Sequence, residues 1–331
     1  MHRLTATSIA PLLLASTLFA ADTSAPVPLR PVHTYSIVAR DAATGDLGVA
    51  VQSHAFSVGS GVSWAEAGVG AVATQSFIDP SYGPLGLDLM RAGRSAPDTL
   101  KGLIAGDDGR DVRQVAMIDA SGRVAAHTGS RCIPSAGNHV GEGYSVQANL
   151  MDNDTIWPAM AKAFEAARGD LAERMLQALE AAQAAGGDIR GMQSAAILVV
   201  KGVSSGKPWL DKIFDLRVED SPQPLVELRR LVTLQRANNL GNEGDRYFEK
   251  KDDAAALKAY AAAEALVPDF AEMAFWHAVA LANTGKVDDS LTVFAKAYRL
   301  YPKFRQLPPR LSKVGLLPAD PKVIERIVEA K

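Results

Sequence analysis

The sequence has 331 residues, more than one domain usually holds, and its length predicts about two domains. A hydrophobic fraction of 47% with 22% charged residues is typical of a globular protein with a buried core. The formal net charge of −2 excludes a global basic surface, so nucleic acid is not an expected partner. The single cysteine, Cys132, excludes a disulfide framework and a cysteine-rich zinc site, and is interpreted as a buried thiol rather than a nucleophile.

The N-terminus has the layout of a secretory signal peptide. His2 and Arg3 give it a weakly basic start, and a short apolar run follows over residues 9–21. The run is too short for a comfortable transmembrane span, although a retained membrane anchor is the alternative interpretation. Cleavage can follow Ala20 or Ala25, and Ala25 fits the small-residue rule better.

Residues 1–25 are therefore interpreted as the signal peptide. Residues 26–33 contain three prolines and are predicted to form an extended linker or propeptide. No later apolar stretch approaches membrane length, so no stable membrane span is expected after cleavage. The expected location is periplasmic or secreted.

Strand and helix patterns follow one another in groups over residues 34–221. Alternating apolar and β-branched residues predict strands at 35–40, 46–53, 68–76, 114–119, 124–128, 144–150, 194–201 and 215–218. A turn at 41–45 predicts that the first two strands form a hairpin. Helical periodicity predicts helices at 85–92, 96–105 (capped by Ser95), 157–167 and 171–185. This order predicts an α+β fold in which helices cover the outer faces of two packed antiparallel sheets.

Residues 222–331 are predicted to form a small all-α domain that contains an internal repeat. Four positions recur 34 residues later: Ala256, Tyr260, Ala263 and Pro268 are followed by Ser290, Phe294, Ala297 and Pro302. With Gly244 and Tyr247 in the first copy, the period and residue types resemble the tetratricopeptide repeat. The second copy has Ala278 and Leu281 instead. Flanking helices at 224–237 and 321–330 are expected to cap the pair, which packs, self-associates or binds a protein partner.

Several patterns that suggest a metal or cofactor have a simpler interpretation. His54, His127 and His139 do not have the helical spacing of a metal-binding pair, and structural or surface roles are favoured. Residues 152–154 lack the glycine and the distal glutamate of a calcium loop, and they are interpreted as a helix start. The glycine-rich segment 59–63 has neither the spacing of a phosphate loop nor that of a nucleophile elbow. No metal and no cofactor are expected.

Several sequence runs together resemble the family known as domain of unknown function 1028. The runs are 34–41 (TYSIVARD), 48–53, 64–75, 82–87, 114–119, 127–130, 143–149, 185–188, 193–194 and 215–218. They occur in order over residues 34–236. The resemblance implies membership of the N-terminal nucleophile hydrolases, whose fold is a four-layer αββα sandwich. The α+β order inferred from the residues agrees with that fold, and the domain is placed at 34–221.

The resemblance also implies a catalytic residue. In that superfamily the first residue of the mature domain attacks an amide carbonyl, and its own α-amine takes the proton. The aligned residue is Thr34, and an α-amine with an ordinary pKa of roughly 7.7–8.0 is partly neutral near pH 7. Thr34 gains this amine only if the His33–Thr34 bond is cut. Ser36 is the second candidate and requires a different cut.

The supporting residues follow from the resemblance position by position. Asn149 is expected either to donate an amide N–H to the oxyanion or to hold a strand end as a buried amide. Ser53 and Gln75 end strands near Thr34, Thr128 and Gly129 lie where substrate needs room, and Gln193 lies in the matching run before Ser194. Asp215 and Arg217 are expected to form a buried pair. Met192 stands where some relatives carry a basic residue, which predicts a different specificity.

The sequence therefore predicts an exported amidohydrolase that acts on a small amide or peptide through Thr34. The alternative is a non-catalytic periplasmic binding or scaffold protein that keeps the fold and uses its repeats to bind proteins. The position of the mature N-terminus distinguishes the two, because an internal threonine has no free α-amine.

Overall fold

The computed structural model describes residues 34–331, so the predicted signal peptide and linker lie outside the described residues. The ten strands within that range are β1 (Thr34–Arg40), β2 (Leu47–Ser53), β3 (Ser63–Glu66), β4 (Gly70–Ser76), β5 (Arg113–Asp119), β6 (Val124–Thr128), β7 (Gly137–Gly141), β8 (Tyr144–Asn149), β9 (Ser194–Val200) and β10 (Lys212–Val218). The eleven α-helices of the same range are α1 (Val58–Val62), α2 (Tyr82–Arg91), α3 (Ala96–Gly106), α4 (Ile156–Ala166), α5 (Leu171–Ala184), α6 (Pro224–Glu249), α7 (Asp253–Leu266), α8 (Ala271–Asn283), α9 (Val287–Leu300), α10 (Pro308–Lys313) and α11 (Pro321–Val328).

Every strand and helix predicted between residues 34 and 221 is present, and three short elements accompany them. The unpredicted elements are α1, β3 and β7. Helix α1 has five residues, two of them glycine, and β3 has only four residues. Strand β7 begins and ends with glycine, a residue that is depleted in strands. Such segments lack the length or residue types by which a pattern is recognised.

The strands form two antiparallel sheets, which confirms the predicted α+β class. The six-stranded sheet has the order β10-β9-β2-β1-β8-β7, and the four-stranded sheet has the order β3-β4-β5-β6. β1 and β2 form the predicted hairpin, in which Thr34 pairs with Ser53. On its other side β1 pairs with β8, where Thr34 lies opposite Asn149. The first residue of β1 is thus flanked by two strand ends.

Residue alternation along β1 assigns its two faces to different cores. Tyr35 and Ile37 face helices α4 and α5, together with the apolar side of β8 and β9. Val38 lies on the other face, in a second core between the two sheets. A third core lies between the four-stranded sheet and helices α2 and α3. Burial of each large apolar side chain in these cores contributes about 1.5–3 kcal/mol to stability.

Helix α6 belongs both to the sheet domain and to the helical region. It is continuous from Pro224 to Glu249, whereas the sequence predicts a helix that ends near residue 237. Leu228 and Val232 pack in the core beside the six-stranded sheet. The second half of α6 lies against α7. Packing at both ends explains the continuity, because each half buries one face against a different neighbour.

The remaining helices pack in sequence. A Cβ at Gly244 of α6 would lie 2.6 Å from the Tyr260 ring of α7, so glycine permits the close approach of these helices. Helices α8, α9 and α11 enclose an apolar cluster that includes Phe275 and Phe294. None of the helices in residues 34–331 has the length and apolar character needed to cross a membrane.

Ion pairs connect α6 to α5. Arg229 donates hydrogen bonds to Glu180 and Glu173, with an Nε to Oε1 distance of 2.6 Å to Glu180. Arg236 donates to Asp170 at 2.6 and 2.8 Å and to Glu173 at 3.2 Å. Burial alone would raise the pKa of the Asp170 carboxyl, but hydrogen bonds from Arg236 and the Glu173 amide lower it below its usual range. These contacts join the helical region to the sheet domain.

The Arg236 contacts predict a pH-dependent contribution to stability. Because the folded-state pKa of Asp170 is lowered, its contribution is fully present above the unfolded pKa of about 3.9, declines below that value and is lost as the pH falls through the lower folded-state pKa. Arg236→Met is expected to lower the free energy of unfolding by about 1 kcal/mol at pH 7, since solvent screens an ion pair between partly exposed groups. Urea unfolding at pH 7 and pH 3 measures this. Arg230→Met is the control, because Arg230 pairs within its own helix, with Glu227. A difference that does not become smaller between pH 7 and pH 3 contradicts the prediction.

Candidate functional site around Thr34

Thr34 is fully buried at the end of a central strand. Its backbone lies between those of Ser53 and Asn149. Because side chains alternate along a strand, Thr34 shares with Ser36 and Val38 the face that meets the second sheet. Thr34 therefore lies between the two sheets, beyond the end of their shared apolar core.

Four side-chain amides surround the start of β1, and we call them the amide cluster. They belong to Gln75, Gln114, Gln147 and Asn149, all fully buried. Gln75 Nε2 donates to the Thr34 carbonyl oxygen at 3.1 Å, and Asn149 Nδ2 contacts the same oxygen at 3.4 Å. Two amides from different sheets thus hold the backbone of Thr34.

Gln114 lies at the centre of the amide cluster. Its Oε1 accepts hydrogen bonds from Gln75 Nε2 at 2.6 Å and from Asn149 Nδ2 at 2.9 Å. Its Nε2 is within 2.8 Å of the Ala148 carbonyl and 2.9 Å of the Thr128 hydroxyl. This orientation turns the N–H groups of both partner amides towards Thr34. Gln114 lies in a run that resembles the family, but no pattern in the sequence indicated a role for it.

Ser36, the second candidate nucleophile, is engaged in the same network. Its hydroxyl donates to Gln75 Oε1 at 2.5 Å and accepts from Gln147 Nε2 at 2.6 Å. A hydroxyl that bridges two amides in this way has a structural role, which argues against Ser36 as a nucleophile.

Two residues next to the amide cluster have left-handed backbone conformations. Ser76 follows Gln75 with φ 70°, and Leu150 follows Asn149 with φ 56°. Non-glycine residues rarely adopt this region, and such strain concentrates at functional sites. At the ends of β4 and β8, the backbone therefore turns at the residue that follows the amide side chain.

Ser53 and Gln193 lie at the same edge of the sheet. Ser53 pairs with Thr34 on one side and with Ser194 on the other. The Gln193 backbone N–H donates to the Ser53 carbonyl at 3.0 Å, but its side chain donates to Asp220 at 3.1 Å. Gln193 therefore supports the strand end through its backbone, with its side chain bound elsewhere.

An arginine–carboxylate pair that the sequence did not indicate borders this edge. The buried Asp188 carboxylate accepts two hydrogen bonds from the Arg190 guanidinium, at 2.7 and 3.0 Å, and one from the His54 backbone N–H at 3.2 Å. Asp188 also forms a β-bridge with Met151, two residues after Asn149. The Arg190 side chain is 29% exposed, so a cation reaches the surface beside the strand ends.

Two ionisable side chains in this area are held in their neutral forms. Burial raises the pKa of Tyr35 well above its usual range, and the nearby Asp188 carboxylate raises it further. Burial likewise raises the pKa of Cys132, outweighing hydrogen bonds that lower it. Cys132 is a free, buried thiol, as predicted. A raised pKa does not favour a nucleophilic thiolate.

Three predicted site residues have other structural explanations. A Cβ at Gly129 would lie 2.3 Å from the Asp111 carbonyl oxygen, so close backbone packing requires glycine there and no space for substrate is involved. Asp215 and Arg217 lie on the edge strand β10, which is separated from β1 by the two strands β9 and β2. Their side chains are 28% and 41% exposed. Arg217 and Asp215 form the predicted ion pair, with a nitrogen to oxygen distance of 3.6 Å, but the pair is not buried, because an edge strand leaves this face accessible.

The remaining polar candidates do not assemble a metal site. Within residues 34–331, no three His, Cys, Asp or Glu side chains are grouped so as to hold a metal ion. The His127 ring contacts the Arg110 carbonyl at 2.8 Å. Asn153 accepts a hydrogen bond from the Thr155 backbone N–H, and helix α4 begins at the next residue, as the helix-start interpretation of 152–154 predicts.

Comparison with known proteins gives the family of the chain. A model of the family of unknown function DUF1028 matches residues 34–228, and this range begins at Thr34. A crystal structure of protein SPO2555 from Silicibacter pomeroyi, also assigned to DUF1028, is 30% identical with a TM-score of 0.54; the alignment covers 60% of this chain and 84% of that one. No curated protein matches the sequence. The chain belongs to the DUF1028 family.

Proposed function

We propose that this protein is an exported amidohydrolase of the N-terminal nucleophile type, with Thr34 as its nucleophile. The proposal rests on the contacts that two side-chain amides make with the backbone of Thr34. Gln75 and Asn149 contact its carbonyl oxygen from two different sheets, at the residue where the family match begins. The order of helix, sheet, sheet and helix supports an N-terminal nucleophile sandwich. The close contact of Gly244 with Tyr260 supports a tetratricopeptide-like pair in the helical region.

The proposed reaction needs no group beyond the chain and water. Once the His33–Thr34 bond is cut, the Thr34 α-amine accepts the hydroxyl proton as Oγ1 attacks the amide carbonyl of the substrate. The proton then passes to the leaving amine as the C–N bond breaks. Water hydrolyses the resulting ester and regenerates the hydroxyl. The amine suits this role because its ordinary pKa, roughly 7.7–8.0, lies near neutrality.

The amide cluster supplies the positioning that this reaction requires. Asn149 makes its shorter hydrogen bond to Gln114, at 2.9 Å, and its longer one to Thr34, at 3.4 Å. The N–H that makes the long contact with Thr34 is bound less tightly than the one that binds Gln114. It is therefore the better donor to an oxyanion that forms next to Thr34. Loss of one such donor costs about 10²–10³ in rate. Gln75, with its 3.1 Å hydrogen bond, instead fixes the nucleophile backbone.

The N-terminus of the exported protein tests the proposal. We expect intact-mass measurement and N-terminal sequencing to find chains that begin at Thr34. A second arm fuses residue 34 directly to a cleavable leader, so that removal of the leader exposes Thr34. This material is then assayed for amine or ammonia release from a panel of small amides and dipeptides. The proposal would be contradicted if exported chains began only at residue 21, 22 or 26 and the form that begins at Thr34 were also inactive.

A non-catalytic scaffold is the second candidate function. The complete burial of Thr34 favours it, because a buried hydroxyl offers no approach to substrate. In that case the amide cluster only joins the two sheets. A scaffold needs no cut before Thr34, so an inactive form with Thr34 exposed, but with intact fold and partner binding, supports it.

A further inference from the structure

A cleft in the helical region lies outside the part of the chain that matches the family. It measures about 270 Å³ and lies between the last turn of α6, α7 and α8. Three aromatic side chains line it, those of Phe248, Tyr260 and Trp276. The family match ends at residue 228, so the cleft belongs to a region added to the family domain. An inference about this cleft therefore stands independently of the hydrolase proposal.

Two carboxylates of the cleft have no cationic partner. Asp245 and Asp253 line it, both are exposed, and neither forms an ion pair with any residue in 34–331. Asp245 accepts a hydrogen bond from the Tyr260 hydroxyl, a neutral donor that leaves the carboxylate charge in place. The basic residues that follow α6, Lys250 and Lys251, do not line the cleft. The cleft thus has a local excess of negative charge.

Two helix ends add to this negative potential. Helix α6 ends at Glu249, one residue after Phe248, and α8 ends at Asn283, which lines the cleft with Thr284. The carbonyl end of a helix carries a partial negative charge equivalent to roughly half an electron. The N-terminal end of α7, whose first residue Asp253 also lines the cleft, carries the opposite partial charge. The helix ends together therefore add only a small negative potential to that of the two carboxylates.

We propose that this cleft binds the side chain of a lysine or arginine in a basic segment of a partner protein. Aromatic faces attract such cations, and the ring of Trp276 is the most effective of the three. The aliphatic stem of a lysine or arginine covers apolar surface while its head reaches the carboxylates. An anionic segment would be repelled by the negative charges of Asp245 and Asp253. A volume of about 270 Å³ suits one long side chain.

Peptide binding to the full-length protein tests this inference. The probes are two nine-residue peptides of glycine and serine, one with two lysines and one with the same lysines acetylated. Calorimetry is expected to show about tenfold tighter binding of the unmodified peptide. The double variant Asp245→Asn/Asp253→Asn should abolish this difference, and the amide introduced at position 245 still offers an oxygen to Tyr260. Trp276→Leu should lower the affinity for the lysine peptide, while the circular dichroism spectrum of the protein stays unchanged.

The matched control is Asp269→Asn, which removes one exposed carboxylate of the helical region outside the cleft. It should bind the lysine peptide as the unmodified protein does. Equal affinity for the two peptides overturns the inference. An equal loss of affinity in Asp269→Asn and in the double variant also overturns it, because general charge would then account for binding.

Discussion

A form of the protein that begins at Thr34 is expected to lose about 10⁴-fold of its amide-hydrolysing rate when Thr34 is replaced by alanine. The substitution removes the hydroxyl oxygen that is proposed to form the ester, while the α-amine and the amide cluster stay in place. Thr34→Ser keeps a hydroxyl at the same position and should retain most of the rate. The measurement is amine or ammonia release, together with mass spectrometry after reaction with a β-lactone, whose ring opens to form an ester on Oγ1.

The control for this series is Thr44→Ala, in the turn between β1 and β2. Thr44 is exposed, and its hydroxyl accepts a hydrogen bond from the Asp46 backbone N–H within that turn. Its variant should keep both the full rate and the β-lactone adduct. An adduct that persists in Thr34→Ala, or a rate that does not change, identifies another nucleophile. Ser36 would then become the first residue to examine.

Local patterns were sufficient to predict most of the fold. The β1–β2 hairpin followed from two alternating runs around the turn at 41–45, and the predicted proximity of Ser53 to Thr34 is confirmed by their pairing. Strand β7 could not be predicted, because its glycines and its pairing with β8 depend on a long-range contact. The continuity of α6 also has a tertiary cause, since two different cores hold its two halves.

The candidate site was less predictable than the fold, because it forms between two sheets. Gln75 and Gln114 pair across β4 and β5, and only the packing of that pair on β1 brings both amides to Thr34. A glutamine near either end of a strand has no distinguishing pattern in a sequence. Gly129 shows the opposite case, in which a motif position that suggested substrate room instead contacts the Asp111 backbone.

Replacement of Gln114 by leucine is expected to lower the free energy of unfolding by about 3–5 kcal/mol. The change removes the acceptor of the Gln75 and Asn149 amides and the donor to the Ala148 carbonyl, all inside the protein. Each buried polar group left without a partner costs about 1–3 kcal/mol, and apolar bulk does not replace the lost hydrogen bonds. Urea unfolding measures the loss. In the form that begins at Thr34, the amide-hydrolysing rate should fall as well, because both amides are free to turn.

Two matched variants make this prediction sharper. Gln52 is equally buried, but its amide has no hydrogen-bond partner within residues 34–331, so Gln52→Leu should be neutral or stabilising. Gln114→Glu keeps the acceptor oxygens but buries a carboxylate, and burial raises its pKa above the unfolded value. Stability of that variant should therefore be higher at pH 5 than at pH 8, since the neutral acid can still donate to Ala148. Similar losses for Gln114→Leu and Gln52→Leu would mean that volume matters at these positions and the hydrogen bonds do not.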